Sequence, residues 1–128
     1  MTELRKILHV EDEPDIREVA RLALETVGGF VVESCASGED AVVRAPAFRP
    51  DLVLLDVMMP GLDGPATFQR LRQIPGFEQI PVIFMTAKAM PQEIERFREL
   101  GALDVITKPF DPMELASQIR AIWARAHG

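Results

Sequence analysis

The sequence predicts an α/β fold, a doubly wound (βα)5 parallel sheet in three layers. Short runs of leucine and β-branched residues alternate five times with longer stretches in which apolar residues recur at helical spacing. One of these runs, 52–55, is apolar at every position, as expected for a strand that helices cover on both faces. Parallel strands need crossover connections, which place helices on both sides of the sheet.

The first two units differ in the clarity of their boundaries. Leu4–Val10 is the first predicted strand, and Pro14–Val27 is a helix with one apolar face that ends at two glycines. The second strand, Phe30–Glu33, is weaker. Its short helix opens with Ser37 and two acidic residues, and it ends in the proline-containing stretch 46–50.

The third unit contains the strand that we expect at the centre of the sheet. The apolar run 52–55 ends at Asp56, and the loop MMPGLDG leads into a helix from about Gly64 to Ile74. Asp63 is suited to cap this helix, and Pro65 fits its first turn.

The last two units complete the predicted sheet. Pro81–Met85 and Leu103–Thr107 are the fourth and fifth strands, and the helices after them are Gln92–Leu100 and Pro112–Arg125. No repeat or interdomain linker interrupts residues 1–128. We therefore expect a single domain that leaves no room in the chain for an output domain.

The composition argues against several classes of protein. The 128 residues include 20 acidic and 14 basic side chains, and the net charge of −6 opposes direct binding of nucleic acid. No uncharged apolar stretch approaches the roughly 20 residues of a membrane span, and the charged N-terminus differs from a secretory signal. We expect a cytoplasmic protein that contacts neither membrane nor nucleic acid.

Chemically active side chains follow the ends of four predicted strands. Glu11 and Asp12 follow the first strand, Asp56 the third, Thr86 the fourth and Lys108 the fifth. The carboxyl ends of parallel strands share one edge of the sheet, where open α/β sheets bind ligands. Three carboxylates there would repel one another by roughly 4 kcal/mol per pair at about 4 Å and an effective dielectric constant of about 20. Mg²⁺ and the Lys108 ammonium are the expected counter-charges.

This grouping of charges predicts a nucleophile. A carboxylate held between a metal ion and an ammonium group can attack phosphorus and form an acyl phosphate. Asp56 is the best candidate because it ends the most buried strand, whereas Glu11 and Asp12 are better placed as metal ligands. The Thr86 hydroxyl is suited to bind an oxygen of the transferring group.

Four segments, in order and with matching spacing, carry a family resemblance: VEDEPD, LLDVMMPGLDG, the pair Thr86-Ala87, and ITKPF. Together they resemble the landmark motifs of response-regulator receiver domains of two-component signalling, in particular stand-alone regulators of the chemotaxis type. The resemblance implies a flavodoxin-like strand order of 2-1-3-4-5. It also implies that the protein is a signalling phosphoacceptor and not an enzyme. Such a phosphoacceptor catalyses only its own phosphorylation and slow dephosphorylation.

The resemblance also implies a role for each residue of these motifs. Asp56 corresponds to the phosphoacceptor and Asp12 to the direct Mg²⁺ ligand, with Glu11 acting largely through water. The other implied roles are a metal-binding backbone carbonyl at Met58, contacts to the phosphoryl group from the Thr86 hydroxyl, the Ala87 amide and Lys108, and a cis peptide bond before Pro109.

Partners follow from the same resemblance. A sensor histidine kinase or a histidine phosphotransfer protein would supply the phosphoryl group. The surface of the fourth helix, fifth strand and fifth helix would bind a downstream protein, or a second copy in a phosphorylation-dependent homodimer. Phosphorylation adds about −1.5 to −2 charges, which can bias such a surface.

Some positions depart from the family pattern. Val105 stands three residues before the lysine, where an aromatic switch residue is usual, so aromatic switching is not carried over. Met58 and Lys88 lie at positions that tune loss of the phosphoryl group, and we expect slow hydrolysis because Met58 has no side-chain group to orient water. The following residues are expected to be packing residues rather than ligands: Met58, Met59, Met85, Met90 and His9.

Other functions remain open on the sequence alone. A phosphohydrolase with an aspartyl-phosphate intermediate would share Asp56, Mg²⁺ and a lysine, but Met58 replaces its usual second Asp. A flavodoxin-like cofactor binder would need hydroxyls and backbone donors where this chain has Glu11-Asp12-Glu13. A pseudo-receiver that serves only as a docking module is disfavoured by the complete set of acids with Thr86 and Lys108.

Overall fold

The computed structural model describes residues 3–127, and each of its five strands is followed by a helix. The strands are β1 (Lys6–Val10), β2 (Val31–Cys35), β3 (Leu52–Asp56), β4 (Val82–Thr86) and β5 (Asp104–Thr107). The helices are α1 (Pro14–Leu22), α2 (Gly38–Phe48), α3 (Gly64–Arg72), α4 (Pro91–Glu99) and α5 (Leu115–His127). Within residues 3–127, no helix has both the length and the apolar character needed to cross a membrane.

The five strands are parallel and form one sheet in the order β2-β1-β3-β4-β5, which confirms the predicted fold. In β3, Leu54 is in register with His9 of β1 on one side and with Ile83 of β4 on the other. All five residues of β3 are buried. This central position explains the continuous apolar run, because helices cover both faces of the strand.

Two apolar cores hold the helices against the sheet. On one face, α1 and α5 pack over a core that includes Ile7, Leu24 and Leu115. On the other face, α2, α3 and α4 cover a core in which the rings of Phe68 and Phe84 meet edge to face at 5.7 Å. Neighbouring residues of a strand contribute to different cores because their side chains point to opposite faces.

The end of α1 differs in detail from the predicted helix. α1 continues as a π-helical turn, Ala23–Val27, and the Gly28 N–H donates to the Ala23 carbonyl at 3.1 Å. Gly29 follows with a φ of +73°, a conformation that glycine adopts without steric cost. The predicted stretch 14–27 is therefore helical throughout, with a wider last turn.

Several other boundaries move by two or three residues, and two of these shifts have a clear cause. β2 continues to Cys35 because it pairs with β1 along its whole length. α5 begins at Leu115 rather than at Pro112, since the Asp111 carboxylate accepts a hydrogen bond from the Met113 N–H at 2.9 Å and holds this segment in a turn. Local side-chain bonding, which helical periodicity does not reveal, decides where α5 starts.

Two ion pairs lie at β5, which is an edge strand of the sheet. Asp104 accepts from Arg98 at 3.0 Å and from Arg125 at 3.2 Å. Arg98 lies in α4 and Arg125 in α5, and these helices cover opposite faces of the sheet. One carboxylate therefore links both helical layers around the edge strand.

Candidate functional site

Three carboxylates meet at the carboxyl edge of the sheet. Glu11 and Asp12 follow β1, and Asp56 ends the neighbouring strand β3. One carboxylate oxygen from each residue lies within 4.8 Å of those of the other two. Glu11 and Asp56 are only 1% and 4% exposed, and Asp12 is half-buried. The structure thus brings together the acids that the sequence singled out.

Lys108 supplies positive charge to this cluster. Its Nζ donates to Glu11 Oε1 at 2.8 Å and lies 3.3 Å from Asp56 Oδ1. The backbone N–H of Lys108 donates to the Thr86 carbonyl at 2.8 Å, which positions the side chain at the end of β5. The peptide bond between Lys108 and Pro109 is cis. One ammonium group therefore faces two of the three carboxylates.

The loop after β1 is held by hydrogen bonds to its backbone. Arg17 donates to the carbonyl oxygens of Glu11 at 2.8 Å and of Asp12 at 3.4 Å. Glu11 Oε2 accepts from the Glu13 N–H at 3.2 Å, while Oε1 accepts from Lys108. Both carboxylate oxygens of Glu11 are therefore engaged, and its orientation is fixed.

The loop after β3 depends on a glycine. The Gly64 N–H donates to the Val57 carbonyl at 3.0 Å, and a Cβ on Gly64 would lie 2.5 Å from the Asp56 carbonyl oxygen. A side chain there would collide with the backbone of the site. Asp63 caps α3, as predicted, by accepting from the Ala66 N–H at 2.9 Å. The start of α3 is thus packed directly against Asp56.

Burial and like charge shape the electrostatics of the site. The pKa of Asp56 is raised from 3.8 to about 6, first by burial and then by the Glu11 carboxylate, with Lys108 opposing both. Burial lowers the pKa of Lys108, but its hydrogen bond to Glu11 and the charge of Asp56 outweigh burial, so this pKa is raised. The cluster retains negative charge that one lysine does not neutralise.

β4 contributes a hydroxyl and an exposed loop to the same edge. Thr86 is buried, and its Oγ1 accepts from the Lys88 N–H at 3.1 Å. Ala87 and Lys88 are exposed. Asp56 is in register with Met85 of the neighbouring strand β4. Thr86 is the residue after Met85 on that strand.

The expectation that the methionines pack is wrong for two of them. Met59 and Met85 are buried, but Met58 and Met90 are exposed. Met85 lies within β4, whereas Met58 and Met90 lie in the loops after β3 and β4. Met59 shares the loop with Met58 but packs into the core under α2, α3 and α4. Val105 is half-buried and packs against the core under α2, α3 and α4.

His9 is a buried polar residue close to the site. It is fully buried on β1, as a packed residue should be, and neither of its ring nitrogens has a hydrogen-bond partner within residues 3–127. Burial first, and then the charges of Lys108 and Arg17, lower its pKa to about 4. His9 is therefore neutral at pH 7, and no sequence signal indicates that its nitrogens lack partners.

The donor set of the cluster fits a hard divalent cation. Three carboxylate oxygens that lie within 4.8 Å of one another can share one ion, and Mg²⁺ prefers oxygen ligands. Burial and the Glu11 carboxylate raise the pKa of Asp56 although Lys108 opposes them, so a further positive charge beside Asp56 would be favourable. The acidic cluster is therefore suited to Mg²⁺.

Comparison with known families decides which class of protein carries this site. The family model for the response regulator receiver domain matches residues 7–120. The chain belongs to this family. It is a receiver domain of two-component response regulators, a signalling protein for which the family implies a phosphoacceptor role.

Curated relatives match the receiver domain along nearly its whole length. Transcriptional regulatory protein CseB of Streptomyces avermitilis is 42% identical over 125 residues, which cover 98% of this chain and 52% of the relative. Phosphate regulon transcriptional regulatory protein PhoB of Rhizobium meliloti is 41% identical over 125 residues, which cover 96% and 54%. The receiver domain thus spans about half the length of the curated relatives it matches.

Solved structures agree with this assignment. Chemotaxis protein CheY4 of Vibrio cholerae superposes on the receiver domain with a TM-score of 0.86 at 27% identity, covering 94% of this chain and 99% of that one. The signal receiver domain of a histidine kinase from Syntrophus aciditrophicus gives 0.78 at 38% identity, covering 94% and 90%. The resemblance to receiver domains that the motifs indicate is confirmed. Membership of this family favours neither the phosphohydrolase nor the cofactor binder.

Proposed function

We propose that Asp56 of this receiver domain accepts a phosphoryl group from a phosphohistidine on a sensor histidine kinase or a phosphotransfer protein. In this step the P–N bond of the donor breaks, a P–O bond to the Asp56 carboxylate forms, and the released imidazole takes up a proton. The placement of Asp56 carries the proposal: it is a buried carboxylate at the end of β3, 3.3 Å from Lys108 Nζ.

Three groups beside Asp56 would bind the transferring phosphoryl group. Lys108, whose raised pKa keeps it charged, neutralises part of the phosphoryl charge. The Thr86 hydroxyl and the Ala87 backbone N–H donate hydrogen bonds to its oxygens. Thr86 Oγ1 already accepts from Lys88, and a hydroxyl in this role still has its own hydrogen to donate.

The acidic cluster would hold Mg²⁺ through Asp12, Asp56 and the backbone carbonyl of Met58. Glu11 would contribute through water, because its two carboxylate oxygens already accept from Lys108 and Glu13. When bound, Mg²⁺ offsets negative charge on the acids and on the phosphoryl group.

The surface formed by α4, β5 and α5 would transmit the signal to a downstream protein or to a second phosphorylated copy. Asp104 joins α4 to α5 on this surface, so a shift of one helix against the other strains an ion pair. Because Val105 replaces the usual aromatic residue at the switch position, the conformational change on phosphorylation would involve Thr86 and the loop after it instead. Light scattering before and after phosphorylation measures the molar mass in solution and so tests the homodimer. A phosphorylated form that remains monomeric would exclude it.

The phosphoacceptor is tested with acetyl phosphate, a small phosphodonor, in the presence of Mg²⁺. Intact-mass spectrometry should show one added phosphoryl group on the wild type and on Asp51→Asn, an aspartate at the opposite edge of the sheet. Asp56→Asn should gain none. Absence of the adduct from the wild type, or its persistence in Asp56→Asn, contradicts the proposal.

The same preparation tests the stability of the phosphoryl group. Met58 offers no side-chain hydrogen-bonding group to an attacking water, so we expect slow hydrolysis. After removal of acetyl phosphate, the adduct should persist far beyond seconds. Met58→Asn, which adds an amide at this position, should shorten its lifetime, and an unchanged or longer lifetime would show that residue 58 does not limit hydrolysis.

A further inference from the structure

A cleft of about 360 Å³ lies at the amino edge of the sheet, at the end opposite Asp56. It is formed by the end of α2 together with the segment before β3, and by the loop that joins α3 to β4. None of its residues takes part in the chemistry proposed for Asp56. We call it the proline cleft, because its walls include three prolines with one aromatic ring and one arginine: Pro46, Pro50, Pro75, Phe77 and Arg49.

The walls of the proline cleft are formed by residues with little freedom to move. Each proline has a fixed φ. The loop after α3 is held by two successive turns, since the Phe77 N–H donates to the Ile74 carbonyl at 2.9 Å and the Ile80 N–H to the Phe77 carbonyl at 3.1 Å. Phe77 is half-buried and packs against the core under α2, α3 and α4. A preformed apolar wall of this kind binds a ligand at a small cost in ordering.

Arg49 lines the proline cleft in an unusual backbone conformation. Among residues 3–127 it is the only non-glycine residue with a positive φ, +55°, and it ends α2 at a position where glycine is common. A Cβ raises the energy of this conformation because it lies close to a carbonyl oxygen. Such strain is typical of positions at which a side chain has a function. The conformation therefore points to a role for the Arg49 side chain.

The charges around the proline cleft favour an anionic ligand. Within residues 3–127, no carboxylate pairs with the Arg49 guanidinium. The acids of the two segments that form the cleft are engaged elsewhere. Asp51 accepts from the Lys6 N–H at 2.9 Å, and Glu78 accepts from the N–H of residue 76 at 3.1 Å. A guanidinium group can bind a carboxylate through two parallel hydrogen bonds.

We propose that the proline cleft binds a small organic carboxylate, which pairs with Arg49 and places its apolar body against the prolines and Phe77. Size favours a small molecule, because the cleft falls within the roughly 300–1,000 Å³ of ligand pockets, whereas a stable protein partner covers about 800 Å². Position favours an anion, because the acidic cluster that would repel it lies at the opposite end of the sheet. This binding does not depend on the proposed role of Asp56.

The experiment records the backbone amides of isotope-labelled protein by NMR during titration with benzoate, benzamide or inorganic phosphate. Benzamide has the shape of benzoate without its charge, and phosphate has negative charge without a ring. Benzoate should shift the amides of residues 46–51 and 75–80 and saturate with a dissociation constant of about 1 mM, and the other two probes should bind at least about tenfold more weakly. Shifts scattered over the surface, or equal affinity for benzamide or phosphate, overturn the inference.

Arg49→Gly is the test variant, since it removes the guanidinium and suits the positive φ. It should bind benzoate at least about tenfold more weakly than the wild type. The control is Arg70→Gln, which removes an exposed arginine on α3 outside the cleft and should bind like the wild type. Amides of Arg49→Gly that match the wild type away from the cleft show that the fold is intact. Unchanged affinity in Arg49→Gly, or an equal loss in Arg70→Gln, contradicts the inference.

A second copy of the chain is the alternative occupant of the proline cleft. If the amides of residues 46–51 and 75–80 shift when the protein is concentrated without a probe, the cleft belongs to self-association and the inference is rejected. Failure of acetyl phosphate to label Asp56, with benzoate binding intact, would contradict only the proposed function. The two proposals therefore fail in distinguishable ways.

Discussion

The charged side chains at the two ends of the sheet are paired differently. At the amino edge, the Asp51 carboxylate accepts from the backbone N–H groups of Arg5 at 3.0 Å and Lys6 at 2.9 Å, and Lys6 Nζ donates to the Phe48 carbonyl. Asp51 and Lys6 thus each have their own partners. At the carboxyl edge, three acids share one lysine, and the pKa of Asp56 is raised.

The difference shows which end of the sheet is arranged for stability. Charges that are paired with backbone groups at the amino edge tie the starts of β1 and β3 together. The carboxylates at the carboxyl edge that no cation neutralises lower the free energy of unfolding. Binding of a cation or of a phosphoryl-transfer partner would reduce this loss of stability. Substitutions that remove an aspartate should therefore have opposite effects at the two ends.

The largest effect is expected from Asp56→Asn without divalent cations. Removing the charge removes the cost of burying it and then its repulsion with Glu11, and Lys108 keeps Glu11 as its partner at 2.8 Å. The rise of the Asp56 pKa by about two units corresponds to roughly 3 kcal/mol at pH 7. Urea unfolding at pH 7 with EDTA should show the variant to be more stable by about this amount, and a less stable variant would refute the account of the carboxyl edge.

The matched substitution at the amino edge, Asp51→Ala, should destabilise the fold. It leaves the Lys6 N–H, which is partly buried, without its acceptor, and such a loss costs about 2 kcal/mol. The same unfolding experiment measures it. No loss of stability, or a gain like that of Asp56→Asn, would show that the two edges do not differ in the way described.

The stability of the carboxyl end of the sheet should also depend on pH. The pKa of Asp56 is about 6 in the folded state and lies near the ordinary 3.8 in the unfolded state, so the folded state binds more protons between these values. Lowering the pH from 7 to 5 should therefore stabilise the wild type relative to Asp56→Asn by roughly 1 to 2 kcal/mol. His9 is present in both proteins, so its contribution to the pH dependence cancels in the difference between them. A difference that stays constant over this range would rule out the raised pKa.

The smallest expected effect is that of Mg²⁺ on stability. A ligand that binds the folded state at ten times its dissociation constant stabilises it by about 1.4 kcal/mol. Thermal or urea unfolding with Mg²⁺ should show this gain for the wild type and for Asp51→Asn. Asp12→Asn should lose most of the gain, and equal stabilisation of this variant would argue against the acidic cluster as the metal site.

The order of elements and the position of the site could be predicted because both depend on simple patterns. Five alternating apolar runs determine five βα units, and the strand ends bring Glu11, Asp12, Asp56 and Lys108 to one edge. The start of α5 could not be predicted in the same way. Pro112 is a good first helical residue, but the Asp111 side chain captures the next N–H and delays the helix.

Side-chain environments were the harder part of the site to predict. Met58 and Met59 are neighbours with the same chemistry, yet one is exposed and the other is buried. Hydropathy does not distinguish them, because the path of the loop decides which one the helices cover. The pairing of Lys108 with Glu11, 97 residues apart, likewise depends on how the folded chain orients two long side chains.

Asp104, held by Arg98 and Arg125, also affects how molecules of this domain meet one another. An edge strand exposes backbone groups to which a strand of another molecule can add, and such addition leads to aggregation. β5 is short, with four residues, and its first residue gathers two guanidinium groups from opposite helical layers. These charges discourage a second strand from docking beside β5. The sheet can thus leave β5 as an open edge strand without adding a strand from another molecule.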